Sequence, residues 1–151
     1  MNELVALAVA IEALHESPWN PRKHFAKASL DSLAQSMREV GPLAPVLVRP
    51  RPAGGYEIAS GHRRRRAAGL AMLTHLPAIV KALDDQRFLE ILTIENLQRE
   101  DVHALDEGEG YRTLMKQTAC TIETVAAKIG KSVSYVYQRL KLAEMVPKAK
   151  E

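Results

Sequence analysis

A chain of 151 residues has room for one domain, or for one compact domain with a small appendage, and is long enough to bury a sizeable core. Its 21 Lys and Arg against 18 Asp and Glu leave a formal net charge of +3, so any nucleic-acid role must rest on local clustering and not on bulk charge. The single cysteine, Cys120, excludes a disulfide framework and a cysteine-based zinc site. The N-terminus lacks a basic leader-like segment and no apolar run reaches transmembrane length, so the sequence predicts a cytoplasmic protein with no membrane partner.

Taken in order, residues 5–11 mix β-branched residues with alanine and read as a strand, because Ser17-Pro18 and Asn20-Pro21 soon break the chain. Residues 17–22 form an extended loop. Leu30, Leu33, Ala34, Met37 and Val40 recur at helical spacing, with Ser29 as N-cap and Gly41-Pro42 as the stop. Residues 45–49, the turn Pro52-Ala53-Gly54-Gly55 and residues 56–59 predict a hairpin, and residues 77–81 one more strand. Asp84 or Asp85 caps a helix carrying Phe88, Ile91, Leu92 and Ile94 that ends near Glu95-Asn96-Leu97-Gln98-Arg99. A further helix over 101–115 has Gly108 and Gly110 in its middle, each costing about 0.5–1 kcal/mol relative to Ala, and is expected to bend there. Strands followed by helices make an α+β chain with a small mixed sheet and an all-α end.

Two stretches carry chemistry. Gly61-His62-Arg63-Arg64-Arg65-Arg66 stands between a strand and a helix, where backbone N–H groups and the helix dipole attract anions and arginine offers bidentate donors to phosphate. On this segment alone, a phosphate cradle and a solvated basic face weigh equally. Downstream, Ala126, Gly130 and Val136 have the spacing of a helix-turn-helix, with Ser132 capping its second helix. Val133, Val136 and Leu140 would face inward, leaving Ser134, Tyr135, Gln138, Arg139 and Lys141 outward for bases and phosphates. From residue 121 to 150, Lys128, Lys131, Arg139, Lys141, Lys148 and Lys150 outnumber Glu123 and Glu144, a local net of +4 that favours a DNA partner. His15, His24, His75 and His103 lack metal-ligand spacing and read as surface or loop residues; Trp19 reads as a packing residue. No hydrolase triad is visible.

Ser-Pro-Trp-Asn-Pro-Arg at 17–22, Gly-His-Arg-Arg-Arg-Arg-Ala-Ala at 61–68, Glu-Asn-Leu-Gln-Arg-Glu-Asp at 95–101 and the helix-turn-helix at 121–142, in that order, resemble the ParB family of chromosome and plasmid partition proteins over almost the whole chain. The resemblance implies an N-terminal nucleotide-binding domain over 1–100, related in fold to sulfiredoxin, then a linker helix and an incomplete helix-turn-helix segment over 101–151. It implies CTP and Mg²⁺ as cofactors and a homodimer whose N-terminal domains engage to close a clamp on a parS-like DNA site. The resemblance further implies that slow CTP hydrolysis resets the clamp, that a ParA-type ATPase is a partner, and that the protein is associated with the nucleoid or a plasmid. By the same resemblance Arg22, Ser60, Gly61, His62, Arg63, Arg64, Arg66, Glu95, Asn96 and Arg99 bind the nucleotide. Glu95 and Asn96 serve the metal, and Lys131, Ser132, Ser134, Tyr135, Gln138, Arg139 and Lys141 serve DNA.

Departures from the family pattern are also visible. His62 stands where Glu is common and is either a group that titrates beside phosphate or a tolerated polar residue. Arg65 replaces a position often apolar or aromatic and is expected to point to solvent or DNA. Gly108 and Gly110 replace alanines and suggest a hinge. The chain ends just beyond the second helix of the motif, as a C-terminally truncated form or a short relative would. Rival readings are a transcriptional regulator that binds no nucleotide, and a nuclease or phosphotransferase on the same scaffold.

Overall fold

Alternation of buried and exposed side chains builds a five-stranded mixed sheet in the first part of the chain. The computed structural model describes residues 5–22, 24–42, 44–99 and 101–146, and its contacts divide the chain into two units, Met1–Asp84 and Asp85–Glu151. In the first unit the strands β1 (Leu7–Ala10), β2 (Leu14–His15), β3 (Val46–Pro50), β4 (Tyr56–Ser60) and β5 (His75–Val80) lie in the order β1-β5-β3-β4-β2. The β1–β5 and β3–β4 pairs are antiparallel; β3–β5 and β2–β4 are parallel. Val46, Val48, Ile58, Leu76 and Ala78 are fully buried on these strands and join Leu30, Ala34 and Met37 of α1 (Lys27–Val40) and Ala67 and Ala68 of α2 (His62–Leu70) in one core.

The helix expected over 101–115 runs instead over Ala104–Thr118, and three other boundaries differ from the sequence reading, each for a local reason. The first strand stops at Ala10: Ile11–Ala13 tightens into a 3-10 turn held by the Ile11 N–H to Thr74 O, and Leu14–His15 then pairs beside β4. Helix α1 starts at Lys27 after Ala26, so Ser29 lies inside its first turn and is not the cap; its hydroxyl and carbonyl accept from Arg63 instead. Strand β5 begins at His75 because His75 to Ala78 pair with β1.

The second unit holds α3 (Asp85–Leu97), α4 (Ala104–Thr118), α5 (Ile122–Ile129) and α6 (Val133–Met145). Its core is Leu97, Tyr111, Leu114, Val125, Ala126, Ile129 and Val136, with Ile94 packed against it. That membership puts α3 with the helical unit. The chemistry of the caps is legible: Thr121 and Ser132 accept from the Thr124 and Tyr135 N–H groups, and the exposed His103 caps α4 through Nδ1.

Helix α4 runs unbroken through Gly108 and Gly110. Both glycines are close-approach positions: a Cβ at Gly108 would overlap the Arg139 carbonyl oxygen of α6 and lie 2.9 Å from Ala143 Cβ, and one at Gly110 would lie 2.6 Å from Leu97 Cδ2. The expected bend is thus replaced by tight helix packing. Gly108→Ala should cost about 1–3 kcal/mol in urea unfolding, because a backbone carbonyl cannot give way. Gly110→Ala should cost less, since the Leu97 side chain can rotate; equal losses would show that the α4–α6 approach is looser than this.

Candidate phosphate cradle and nucleic-acid interface

Strand β4 delivers the chain to Ser60, half-buried and paired with Leu47, and Gly61 then turns it into α2 at φ 108°. A side chain there would come to 2.5 Å from Val46 Cγ1, so only glycine fits. The first bond inside the helix runs from the Arg65 N–H to Gly61 O at 3.0 Å, which leaves the Arg63 and Arg64 N–H groups without an acceptor in the helix. This head is suited to an anion.

The arginines fan out to different partners. Arg63 donates to the Ser29 hydroxyl and carbonyl, and Arg64 donates to Pro45 O. Arg66 forms a two-pronged pair with Glu16, at 2.5 Å from Nε to Oε1 and 3.0 Å from Nη2 to Oε2. Its guanidinium also lies 4.2 Å from the centre of the Phe25 ring, against which Arg22 packs at 4.7 Å. The Arg66 hydrogen bonds hold the Glu16 carboxyl below its ordinary range against a smaller opposing effect of burial.

Two expectations are corrected here. Arg65 does not face solvent or DNA; its Nε donates to Leu14 O at 3.2 Å and its second nitrogen to Ile11 O at 3.5 Å, tying α2 to the 3-10 turn and β2. His62 is 3 % exposed and its Nε2 accepts the Ser17 N–H at 3.3 Å, so its side chain braces the 17–22 loop. Trp19, expected to pack, is 45 % exposed, with Arg49 5.6 Å from its ring.

In the second unit the end of α3 gathers Glu95, exposed, with Asn96 and Arg99; Arg99 donates to Asn96 Oδ1 at 3.2 Å and to Asp101 at 2.7 Å. A carboxylate and an amide oxygen are hard donors of the kind Mg²⁺ takes beside phosphate oxygens, so the residue types fit that ion.

The helix-turn-helix is formed by α5, a turn through Gly130 at φ 73°, and α6. Lys131, Ser132, Ser134, Gln138 and Lys141 are exposed as a DNA-reading face needs, and Tyr137, which sequence reasoning missed, is 52 % exposed on the same helix. Val133 is exposed at 44 %, not inward, whereas Val136 is fully buried. Tyr135 and Arg139 are not simply outward. Glu107 of α4 accepts from the Tyr135 hydroxyl at 3.0 Å and the Tyr111 hydroxyl at 2.9 Å and lies 3.5 Å from Arg139 Nε, while Lys131 and Arg139 flank the Tyr135 ring at 5.1 and 4.7 Å. Lys128 is likewise drawn to Glu90, which is 6 % exposed and also pairs with Arg87. Lys148 and Lys150 lie outside the described residues.

Residues 1–97 match the family model of the ParB N-terminal domain and residues 100–151 match that of the ParB HTH domain. The chain belongs to the ParB family. It is 45 % identical over 141 residues to the chromosome-partitioning protein Spo0J of Thermus thermophilus, covering 93 % of this chain and 52 % of that protein. It is 46 % identical over 134 residues to ParB of Caulobacter vibrioides, covering 87 % and 44 %. The chain thus spans about half the length of these curated relatives. Among solved structures it resembles C-terminally truncated ParB from Caulobacter crescentus complexed to the centromeric parS site, with a TM-score of 0.84 and 40 % identity over 94 % of this chain and 73 % of that one. The same protein complexed with CTP-gamma-S gives a TM-score of 0.58 and 42 % identity, over 95 % and 80 % of the two chains. The α+β class with a small mixed sheet and a following helical segment is thus that of the ParB family.

Two measurements test this unit of the ParB chain. Glu107→Ala strands two tyrosine hydroxyls and should lower stability by about 1–3 kcal/mol in urea titration; an unchanged midpoint would remove Glu107 as the anchor of α6. Burial raises the Glu90 carboxyl most strongly of any single influence, but Lys128 and Arg87 together outweigh it and the net shift is downward from 4.5. A depressed carboxylate stabilises the fold above its unfolded value and loses that contribution as pH falls through the folded one. Glu90→Gln should therefore flatten the acid limb of thermal stability as pH falls below 4.5; a limb as steep as the wild type's would contradict this.

Proposed function

We propose that the chain is the nucleotide-binding and DNA-binding part of a partition protein. It recognises a parS-like site and uses CTP with Mg²⁺ as the switch by which two copies engage into a clamp. The observation that carries this reading is the head of α2: a glycine-only turn against Val46, backbone N–H groups without helical acceptors, and Arg63, Arg64 and Arg66 at the first turns. The likeness to a ParB in complex with parS and to one in complex with CTP-gamma-S supports it.

In this reading Ser60 and Gly61 admit the phosphates to the backbone, and Arg63, Arg64 and Arg66 supply donors with Arg22 beside them. His62 acts only through its main chain and its brace on Ser17. Glu95 and Asn96 are proposed as oxygen ligands of Mg²⁺, whose chemistry is to neutralise phosphate charge, with Arg99 orienting Asn96. Slow hydrolysis then serves to reset the switch and is not the output. On the helix-turn-helix, Lys131, Ser132, Ser134, Gln138 and Lys141 contact DNA directly, while Tyr135 and Arg139 set the angle of α6 through Glu107. The ParA-type ATPase is carried over from the family as partner, as is a location on the nucleoid or a plasmid.

A DNA binder without nucleotide is the rival reading, and it draws on the internal partners that all four arginines possess. Calorimetry with CTP, ATP, GTP and UTP plus Mg²⁺ separates the two. CTP should bind in preference, and Arg64→Ala should weaken it by about tenfold to a hundredfold while leaving DNA binding intact. Lys131→Ala with Gln138→Ala should do the reverse. Heat from no nucleotide would leave the plain regulator, and a preference for ATP would point to phosphotransfer.

A further inference from the structure

The four arginines at the head of α2 are not in equivalent states. Among the described residues, the partners of Arg63 and Arg64 are a hydroxyl and backbone carbonyls, all uncharged, and those of Arg65 are backbone carbonyls that hold it inward. Arg66 alone of the four is held by a carboxylate, with both oxygens of Glu16 on its guanidinium fork. That is the geometry in which guanidinium also takes a phosphate, so an anion arriving at Arg66 meets a group of its own kind already in place.

We propose that Glu16 is an internal anion that competes with the ligand for Arg66 and thereby sets how strongly, and for which anions, the arginine helix closes on phosphate. The proposal rests on the reading of Arg66 as a phosphate ligand. Exposure makes the competition reversible: the two side chains are 37 % and 36 % exposed, so water reaches the pair and its strength is that of a surface bridge. A buried pair would be a permanent strut. A singly charged anion offers Arg66 nothing that Glu16 does not, whereas a polyphosphate, with more charge and more oxygens, displaces the carboxylate. Glu16 immediately precedes Ser17, whose N–H is fixed on His62, and Phe25 backs Arg66, so the carboxylate is held in place to rebind when the ligand leaves. Glu16 is therefore a specificity-setting residue that touches no substrate.

The test is calorimetric titration of the full chain with CTP–Mg²⁺ and, separately, with inorganic triphosphate, on wild type, Glu16→Gln and Glu16→Asp. Removing the charge should tighten both ligands by about three- to fivefold, with Glu16→Asp between the two, because the pair surrendered is a surface one. The gain should vanish when Glu16→Gln is placed on Arg66→Ala, a result that general charge or a folding effect does not produce. Equal or weaker binding in Glu16→Gln, or a gain that survives in the Arg66→Ala background, would overturn the proposal. If wild type binds neither ligand and Arg64→Ala changes nothing, the phosphate reading itself has failed and the proposal falls with it. A wild type that loses affinity in Arg64→Ala but is indifferent to Glu16 sinks the proposal alone. Should Glu16→Gln fail to fold, the Glu16→Asp titration decides on the same criterion.

Discussion

Everything the first unit offers an anion depends on one backbone constraint, the turn at Gly61. Its φ of 108° is accessible to glycine, and Val46 stands where a Cβ would project. Val46 cannot retreat, being fully buried on β3 between β4 and β5. The head of α2 is thereby fixed relative to the sheet, and the fully buried Ala67 and Ala68 hold the rest of the helix down by having almost no side chain to accommodate. The arginines take their directions from that placement: Arg63 toward α1, Arg64 toward the start of β3, Arg65 toward the 3-10 turn, Arg66 toward Glu16.

A second regularity runs through both units: basic residues that a sequence counts as available to ligands are partly committed to carboxylates of the fold. Glu16 holds Arg66, Glu90 holds Lys128 and Glu107 holds Arg139. The local charge excess after residue 120 therefore overstates what DNA can meet. Of its six cations, Lys128 and Arg139 are paired and Lys148 and Lys150 fall outside the described residues, which leaves Lys131 and Lys141 as the exposed ones without a carboxylate partner among the described residues. Electrostatic affinity scales with the phosphates neutralised, so this distinction bears directly on salt dependence.

Periodicity and cap chemistry made the fold largely legible. Leu30, Ala34 and Met37 face the core as their spacing requires, Ser132 caps α6, and the Gly54-Gly55 turn joins β3 to β4. What escaped was decided by contacts distant in sequence. Nothing local shows that Glu16 meets Arg66 fifty residues on, or that Arg65 finds backbone carbonyls that far back. Gly108 suggested a bend because helix propensity is all that a sequence displays; the α6 carbonyl lies opposite it in an unbroken helix. One signal was present and unread: Glu107 and Tyr111 stand four apart on α4, a spacing that places a carboxylate beside a hydroxyl.

The internal partners also change what binding costs. A free arginine gives up roughly 2 kcal/mol of rotamer freedom when a ligand fixes it. One already held by Pro45 O or by Ser29 has lost much of that freedom at folding, so a phosphate meets an ordered donor whose charge is still uncompensated. Neutral acceptors thus pre-order without neutralising, whereas a carboxylate does both. On the proposed reading, Arg63 and Arg64 would attract the anion first, and Arg66 would join only when the gain there exceeds its bond to Glu16. Two kinds of acceptor on one helix turn a run of like residues into a graded site.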